Sequence, residues 1–252
     1  MDPVALFVAT RWELAAVGRA LPVEQEKRIG GLRCLIGRRA GRAYWLVQTG
    51  VGPAAAAAAV SLVLDRQPMA LAISTGFAGA LTPAAVGDLI IGTGVTSASY
   101  DGAWTQEAGS VPCAAPGVAC AQSAAAQLGI AAHTGPVVSV PVVLCRAEEK
   151  RAVGRLTGAT ALDMESAALA KGAQERAVPF LVLRTVSDLA DEDLPLDFNA
   201  FLKPSGWLKG LLALLRHPAS LAGLIRLRRQ SQTAAGQLTA VCAACAEKGF
   251  GL

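Results

Sequence analysis

Histidine is nearly absent from this chain of 252 residues; His133 and His217 are the only two. They stand far apart, neither has a metal-ligand partner nearby in sequence, and no metal centre is expected. Aromatic residues are scarce, at 5% of the chain, so despite a formal net charge of +4 there is no stacking platform and no nucleic-acid partner is expected. No stretch approaches the roughly 20 apolar residues that span a bilayer, because Lys209, Arg216 and Arg226 interrupt the most hydrophobic region. The apolar run from Val4 to Val8 follows an acidic residue and is too short for a signal-peptide core, so a cytoplasmic location is expected. The six cysteines, Cys34, Cys113, Cys120, Cys145, Cys242 and Cys245, are then reduced thiols. Cys242 and Cys245 form a lone C-x-x-C in an alanine-rich helical stretch where they share one face; with no second Cys or His pair beside them, packing is favoured over a metal or redox role.

Small and apolar residues fill the space that these absences leave. The chain is 53% hydrophobic with 26 glycines, a composition that suits helices packed closely on a sheet. Its length fits one α/β domain over 1–252 with a continuous core. Short apolar runs at Val4–Ala9, Ala43–Gln48, Ala70–Ser74, Leu89–Val95, Val137–Val143 and Phe180–Thr185 read as buried strands. Alanine-rich stretches from Pro53 and from Met164 supply covering helices, which implies a largely parallel sheet with helices on both faces. In such folds ligands gather where strands end, so polar residues there carry functional weight.

That rule selects Glu13 after the first strand, the T-G-V-G turn at Thr49–Gly52, the S-T-G-F-A-G stretch at Ser74–Gly79, A-L-D-M-E-S at Ala161–Ser166, and L-R-T-V-S-D-L-A-D at Leu183–Asp191. Asp163 and Glu165 lie among Ala, Leu and Met at a strand-to-helix transition. Buried carboxylates need donors: either both acids cap the following helix, or one takes the vicinal hydroxyls of a ligand. Arg184 at the end of its strand and Asp188 shortly after it form a structural ion pair or hold an anionic ligand.

Taken together, T-G-V-G-P-A-A-A, S-T-G-F-A-G-A-L, V-G-D-L-I-I, A-L-D-M-E-S-A-A-L-A and V-P-F-L-V-L-R-T-V-S-D-L-A-D resemble, in order and spacing, the purine and uridine nucleoside phosphorylase superfamily over residues 1 to about 200. The methylthioadenosine and S-adenosylhomocysteine nucleosidases are the nearest well-known relatives. The resemblance implies a three-layer α/β/α sandwich with a mixed, largely parallel central sheet. It implies cleavage of a purine N-glycosidic bond, with Asp188 as the acid that protonates the leaving base near N7, Glu13 as the residue that activates water, and Arg184 beside them. Glu165 would bind the ribose hydroxyls with Met164 packed on the sugar; Phe77, Ala78, Gly79, Val142 and Ser187 complete the substrate-binding set. Asp163 replaces the Glu more usual two places before the motif's second acid. An acid working near neutral pH calls for a pKa raised by partial burial of Asp188. A homodimer is also implied.

Water is favoured over phosphate as nucleophile, with phosphate left open as a co-substrate and no other cofactor expected. Phosphorylases of the superfamily carry an arginine near the glycine-rich stretch, which S-T-G-F-A-G lacks, and Arg184 alone makes a poor phosphate site. Phe77 stands where nucleosidases usually have Ser, with Arg11 near enough to compensate.

After Asp197 the chain changes character. The segment 201–230 has no acidic residue and carries Lys203, Lys209, Arg216, Arg226, Arg228 and Arg229. Trp207, Leu208, Leu211, Leu212 and Leu215, and then Leu221, Leu224 and Ile225, recur at helical spacing, predicting two short amphipathic helices hinged at Pro218. Such a pair either lies on an anionic bilayer, giving peripheral contact with the inner face of the membrane, or closes a core or dimer interface. The segment resembles the tail of the hopanoid-associated phosphorylase branch, which also shows D-M-E-S and is linked to adenine release from adenosylhopane. The substrate expectation is therefore a small or lipid-linked adenosine. The first rival is a methylthioadenosine-type nucleosidase; a non-catalytic nucleoside-binding protein or membrane-associated scaffold is the alternative of another class.

Overall fold

A computed structural model describes residues 1–196, 199 and 219–252, with side chains in the C-terminal helix described from Ile225 onward and at Gly223. Among the described residues eleven strands form one sheet. They are β1 (Val4–Val8), β2 (Val23–Ile29), β3 (Leu32–Arg39), β4 (Arg42–Gln48), β5 (Leu71–Ala80), β6 (Leu89–Tyr100), β7 (Trp104–Gln106), β8 (Val111–Pro112), β9 (Ala132–Ser139), β10 (Ala161–Asp163) and β11 (Phe180–Asp188). The order is β10-β9-β6-β11-β5-β1-β4-β3-β2, with β7 and β8 attached to β6. Parallel pairing joins β4, β1, β5 and β11, and again β6, β9 and β10. The β6–β11 contact and the β2–β3–β4 meander are antiparallel, so the sheet is mixed with a parallel centre.

All of β1 is buried, and its side chains divide between two cores. Val4, Leu6 and Val8 face α1 (Arg11–Gly18), α3 (Ala115–Leu128) and α6 (Ala219–Glu247), through Leu14, Ala121, Leu238 and their neighbours. Ala5 and Phe7 face α2 (Pro53–Leu64) and α5 (Ser166–Gln174), through Val60 and Leu169. A continuous apolar strand is thus covered on both sides, the pattern of a parallel sheet between helical layers. The three-layer α/β/α architecture expected from sequence holds.

Several boundaries differ. S-T-G-F-A-G is not a loop after β5 but its second half, since Gly76, Phe77 and Ala78 pair with Arg184, Thr185 and Val186 of β11. The run Val137–Val143 splits, with β9 ending at Ser139. β2 carries V-E-Q-E-K-R-I, exposed until Ile29, and lacks the apolar alternation that would mark it in sequence. α4 (Ala147–Thr157) likewise begins in a charged stretch, A-E-E-K-R.

At the C-terminus, the chain after Pro218 is one long helix rather than a short one; the companion helix expected around Trp207–Leu215 lies outside the described residues. Cys242 and Cys245 do share a buried face of α6, in the cluster with Leu238 and Val241. Among the described residues no helix is long and apolar enough to cross a membrane. α6 is tied down by polar bonds as well as packing. Thr185 Oγ1 donates to Ala234 O at 3.1 Å and Thr239 Oγ1 to Ala16 O at 2.8 Å. Near its end, Ala246 O would lack an intrahelical donor and instead accepts the Tyr44 hydroxyl at 2.8 Å. Tyr44→Phe leaves that buried carbonyl without its partner. It should lower stability by about 1–3 kcal/mol in urea unfolding with an unchanged m-value.

Candidate active site

The second half of β5 collects the acids that the sequence singles out. Glu13 arrives first, from α1. Thr10 is the N-cap of that helix, and Glu13, in its third position, closes a capping box. Glu13 Oε2 accepts from Ala9 N at 3.1 Å, Thr10 N at 2.8 Å and Thr10 Oγ1 at 2.9 Å. Its Oε1 has one close donor, Phe77 N at 2.8 Å, and so retains a free lone pair. Gly76 makes this approach feasible: its φ is +144°, and a Cβ there would lie 2.1 Å from Glu13 Oε1.

The D-M-E-S motif bridges β10 and α5, and its two acids take different roles. Asp163 does the capping. Its Oδ1 accepts from Glu165 N at 3.2 Å, Ser166 N at 3.1 Å and Ser139 Oγ at 2.5 Å, and its Oδ2 accepts from Ser166 Oγ. Glu165 occupies the N-cap position of α5 without any side-chain cap bond. Its Oε1 accepts instead from Gly52 N in the T-G-V-G turn at 2.8 Å. Of the two readings open from sequence, capping describes Asp163, and Glu165 is left with a carboxylate aimed across the sheet.

Arg184 of β11 joins these groups. It is 2% exposed, donates through Nη1 to Phe77 O at 2.9 Å and through Nη2 to Ser74 Oγ at 2.8 Å. Its guanidinium lies 2.7 Å from Asp163, 3.6 Å from Glu165 and 4.0 Å from Glu13. Nε is the atom nearest Asp163, although its N–H does not point along a hydrogen-bond direction. One buried cation therefore serves three buried carboxylates. Burial pushes the Glu165 carboxyl up to about 7; Asp163 and Glu13 add to that rise, against the opposing pull of Arg184 and the Gly52 N–H. For Arg184 burial works against the charge, yet the three acids hold its pKa above the ordinary value.

Asp188 does not pair with Arg184, the ion pair that sequence left open. A β-bulge at the end of β11 explains this. Val186 pairs with Ala78 and Asp188 with Gly79, so Ser187 is an extra residue that re-aims the one after it. Asp188 Oδ1 accepts from Ser187 Oγ at 2.9 Å, and Oδ2 lies 2.6 Å from Lys150 Nζ of α4. The environment is a fully buried ammonium rather than apolar side chains alone. Gly79 gives the carboxylate room, since a Cβ there would come within 2.9 Å of Oδ2.

Glu13 and Arg184 thus meet at Gly76 and Phe77, and Asp188 lies beside Gly79 on the same strand; Glu165 joins through Arg184. Ala78 O, 3.3 Å from Ser187 Oγ, is a second, more distant acceptor for the same hydroxyl proton. The Phe77 side chain lines a cavity of about 430 Å³ with Trp12, Leu227, Arg228 and Ala235. Arg11 lies over the Trp12 ring at 5.5 Å. Met164 borders a second cavity of about 240 Å³ with Pro53, Ser139 and Lys171. Val142 is not brought to this group: it is exposed beside Tyr100, Trp104 and Arg146 in a third cavity of about 620 Å³, which shares only Pro141 with that of Met164. Sequence reasoning missed Lys150, because A-E-E-K-R reads as a solvated helix face. It also passed over the T-x-x-E capping box, a signal open to view.

Comparison with known proteins bears on family and fold. The family model described as the phosphorylase superfamily matches residues 3–204. A 5′-methylthioadenosine/S-adenosylhomocysteine nucleosidase of Shewanella sp. (strain W3-18-1) is 28% identical over 223 residues, 84% of this chain and 96% of that protein. Its counterpart from Shewanella loihica is 27% identical over 85% of this chain and 99% of that one. Among solved structures, the fold is shared with the Neisseria meningitidis enzyme of the same name in complex with methylthio-immucillin-A, at a TM-score of 0.78, 22% identity and coverage of 98% and 100% of the two chains. It is shared too with the futalosine hydrolase of Helicobacter pylori, at a TM-score of 0.72, 19% identity and coverage of 95% and 97%. With most of its length matched by that family model, the chain belongs to the phosphorylase superfamily.

Proposed function

We propose that this protein hydrolyses the purine N-glycosidic bond of an adenosine-type nucleoside and releases adenine. The observation that carries the reading is the gathering of Glu13, Glu165 and Asp188 around Ser74–Gly79, organised by Arg184 and by the bulge at Ser187. Cleavage of C1′–N9 passes through a sugar cation while electrons collect on the purine. Asp188 passes a proton to the base near N7 as C1′–N9 breaks, so that the base leaves as neutral adenine and a carboxylate remains 2.6 Å from the Lys150 ammonium, an assistance worth on the order of 10² to 10⁴ in rate. Glu165 accepts the ribose hydroxyls and stabilises the cation beside it, with Met164 packed on the sugar. Glu13 activates water through Oε1, the oxygen with a free lone pair. Phe77, Ala78, Gly79 and Ser187 bind the remaining substrate; Val142, exposed in a separate cavity, does not join them.

Water is the nucleophile in this reading. Arg184 spends its guanidinium on Ser74, Phe77 and three acids, which leaves it poorly suited to phosphate. The substrate proposed is adenosylhopane. The cavity between Trp12, Phe77, Leu227 and Ala235 lies beside Glu13 and suits a bulky apolar 5′ substituent. Arg228 and Arg229, exposed on α6, suit contact with an anionic inner membrane face, and the enzyme is proposed to act there as a homodimer. The names of the relatives favour methylthioadenosine or S-adenosylhomocysteine as the second reading.

Asp188→Asn should lower kcat for adenine release by about 10² to 10⁴. Full activity of that variant, followed by chromatography of the free base, removes the assignment. In parallel incubations adenosylhopane should outpace methylthioadenosine and inosine at equal concentration, at a rate indifferent to phosphate; phosphate-dependent formation of a sugar 1-phosphate would overturn hydrolysis.

Glu165 must be ionised to accept hydroxyls, so kcat/KM should fall as pH drops below about 7, and Glu165→Gln should abolish that acid limb. The stability effect has the opposite sign. A folded-state pKa raised from 4.5 to about 7 means that the folded protein binds the proton more tightly, so this contribution is fully present below 4.5 and is lost as pH rises to about 7. Thermal melts of wild type and Glu165→Gln across that window should differ in slope accordingly.

A further inference from the structure

We infer that Lys150 is a positioning residue for the acid of the reaction: its buried ammonium holds Asp188 and the loop after β11 in one arrangement, so that the carboxyl meets the leaving base. The inference rests on the reading of Asp188 as that acid. Lys150 projects from the first turns of α4 and is fully buried. An ammonium has three protons to place and strong reason to place all of them when water is excluded. Here it does so, on Asp188 Oδ2 at 2.6 Å, Leu189 O at 2.8 Å and Glu192 O at 3.3 Å. The cation thus binds the acid and, with it, two carbonyls of the segment that carries the acid away from the sheet.

The segment is held at its far side too. Asp193 Oδ1 accepts from Ala147 N at 2.8 Å at the start of α4, and Oδ2 from Arg146 Nη1 at 2.9 Å. Leu194 N donates to Cys145 O at 2.8 Å, and the Glu192 carboxylate meets Arg226 at 2.6 Å and Gln230 at 3.1 Å. The start of α4 is therefore a cradle for residues 188–194, with Lys150 at its centre. Geometry of this kind matters for a proton donor, because misplacement by about 1 Å costs on the order of 10² in rate. The bulge at Ser187 turns Asp188 out of the Arg184 cluster, and Lys150 fixes where it then points.

The test is a double-mutant cycle on the full chain, with methylthioadenosine as probe and released adenine as readout. Lys150→Met should lower kcat by on the order of 10²-fold with KM changed by no more than about two-fold. If Lys150 acts through Asp188, combining Lys150→Met with Asp188→Asn should cost no more than Asp188→Asn alone, to within about two-fold. Multiplying losses, or a loss confined to KM, would make Lys150 a structural residue and overturn the inference. An undiminished Lys150→Met would do the same. Should Lys150→Met fail to give the wild-type circular dichroism spectrum, Lys150→Gln, which keeps a donor, takes its place in the cycle. If neither folds, Lys150 serves folding and the inference falls. Full activity of Asp188→Asn, by contrast, would fail the reading of the acid itself.

Discussion

A single guanidinium shared by three carboxylates governs the middle of this protein. Arg184 is buried at the centre of the sheet, and Asp163, Glu165 and Glu13 converge on it from β10, the start of α5 and α1, respectively. Taking four charged groups out of water is costly, and it becomes tolerable only when each lone pair and proton finds a partner. Most do: serines at 74, 139 and 166 and backbone N–H groups at 52, 77, 165 and 166 supply the remaining bonds. With one cation against three acids the balance stays negative, and Glu165, the acid with the fewest donors, carries the raised pKa. In the proposed reaction these acids would face the developing sugar cation, held in place before the substrate arrives.

The strands make the cluster by small departures from regularity. Gly76 and Gly79 on β5 leave space at which a methyl group would strike Glu13 and Asp188, respectively. One extra residue in β11 separates Arg184 from Asp188, so that two charges on a single strand serve different groups. Regular pleating would put residues 184, 186 and 188 on one face, and the extra residue breaks that alternation before Asp188. The bulge divides the labour between a cluster around Arg184 and a separate ion pair with Lys150.

The apolar mouth beside Phe77 connects the chemistry to the C-terminal helix. Trp12 reaches it from the same turn of α1 that presents Glu13, and Leu227 and Ala235 from α6. A helix that also closes the core through Leu238, Val241 and Cys245 thereby helps to shape what reaches the site.

Much of this was legible in the chain itself. Apolar runs marked β1, β4, β5, β6 and β11 because a strand buried on both faces has nowhere to place a polar side chain, and the acids at 13, 165 and 188 stood out because they interrupt such surroundings. The T-x-x-E box was written in local spacing as well. What tertiary structure alone decided was who meets whom. The choice of Asp163 as the helix cap and Glu165 as the free acid depends on Gly52, more than a hundred residues away in sequence. The partner of Asp188 depends on a one-residue register shift and on a lysine in a run of charges, where burial leaves no periodic trace. Local pattern follows from the backbone period, which sequence carries, whereas the pairing of buried charges is set by distances between strands and helices that only the folded chain defines.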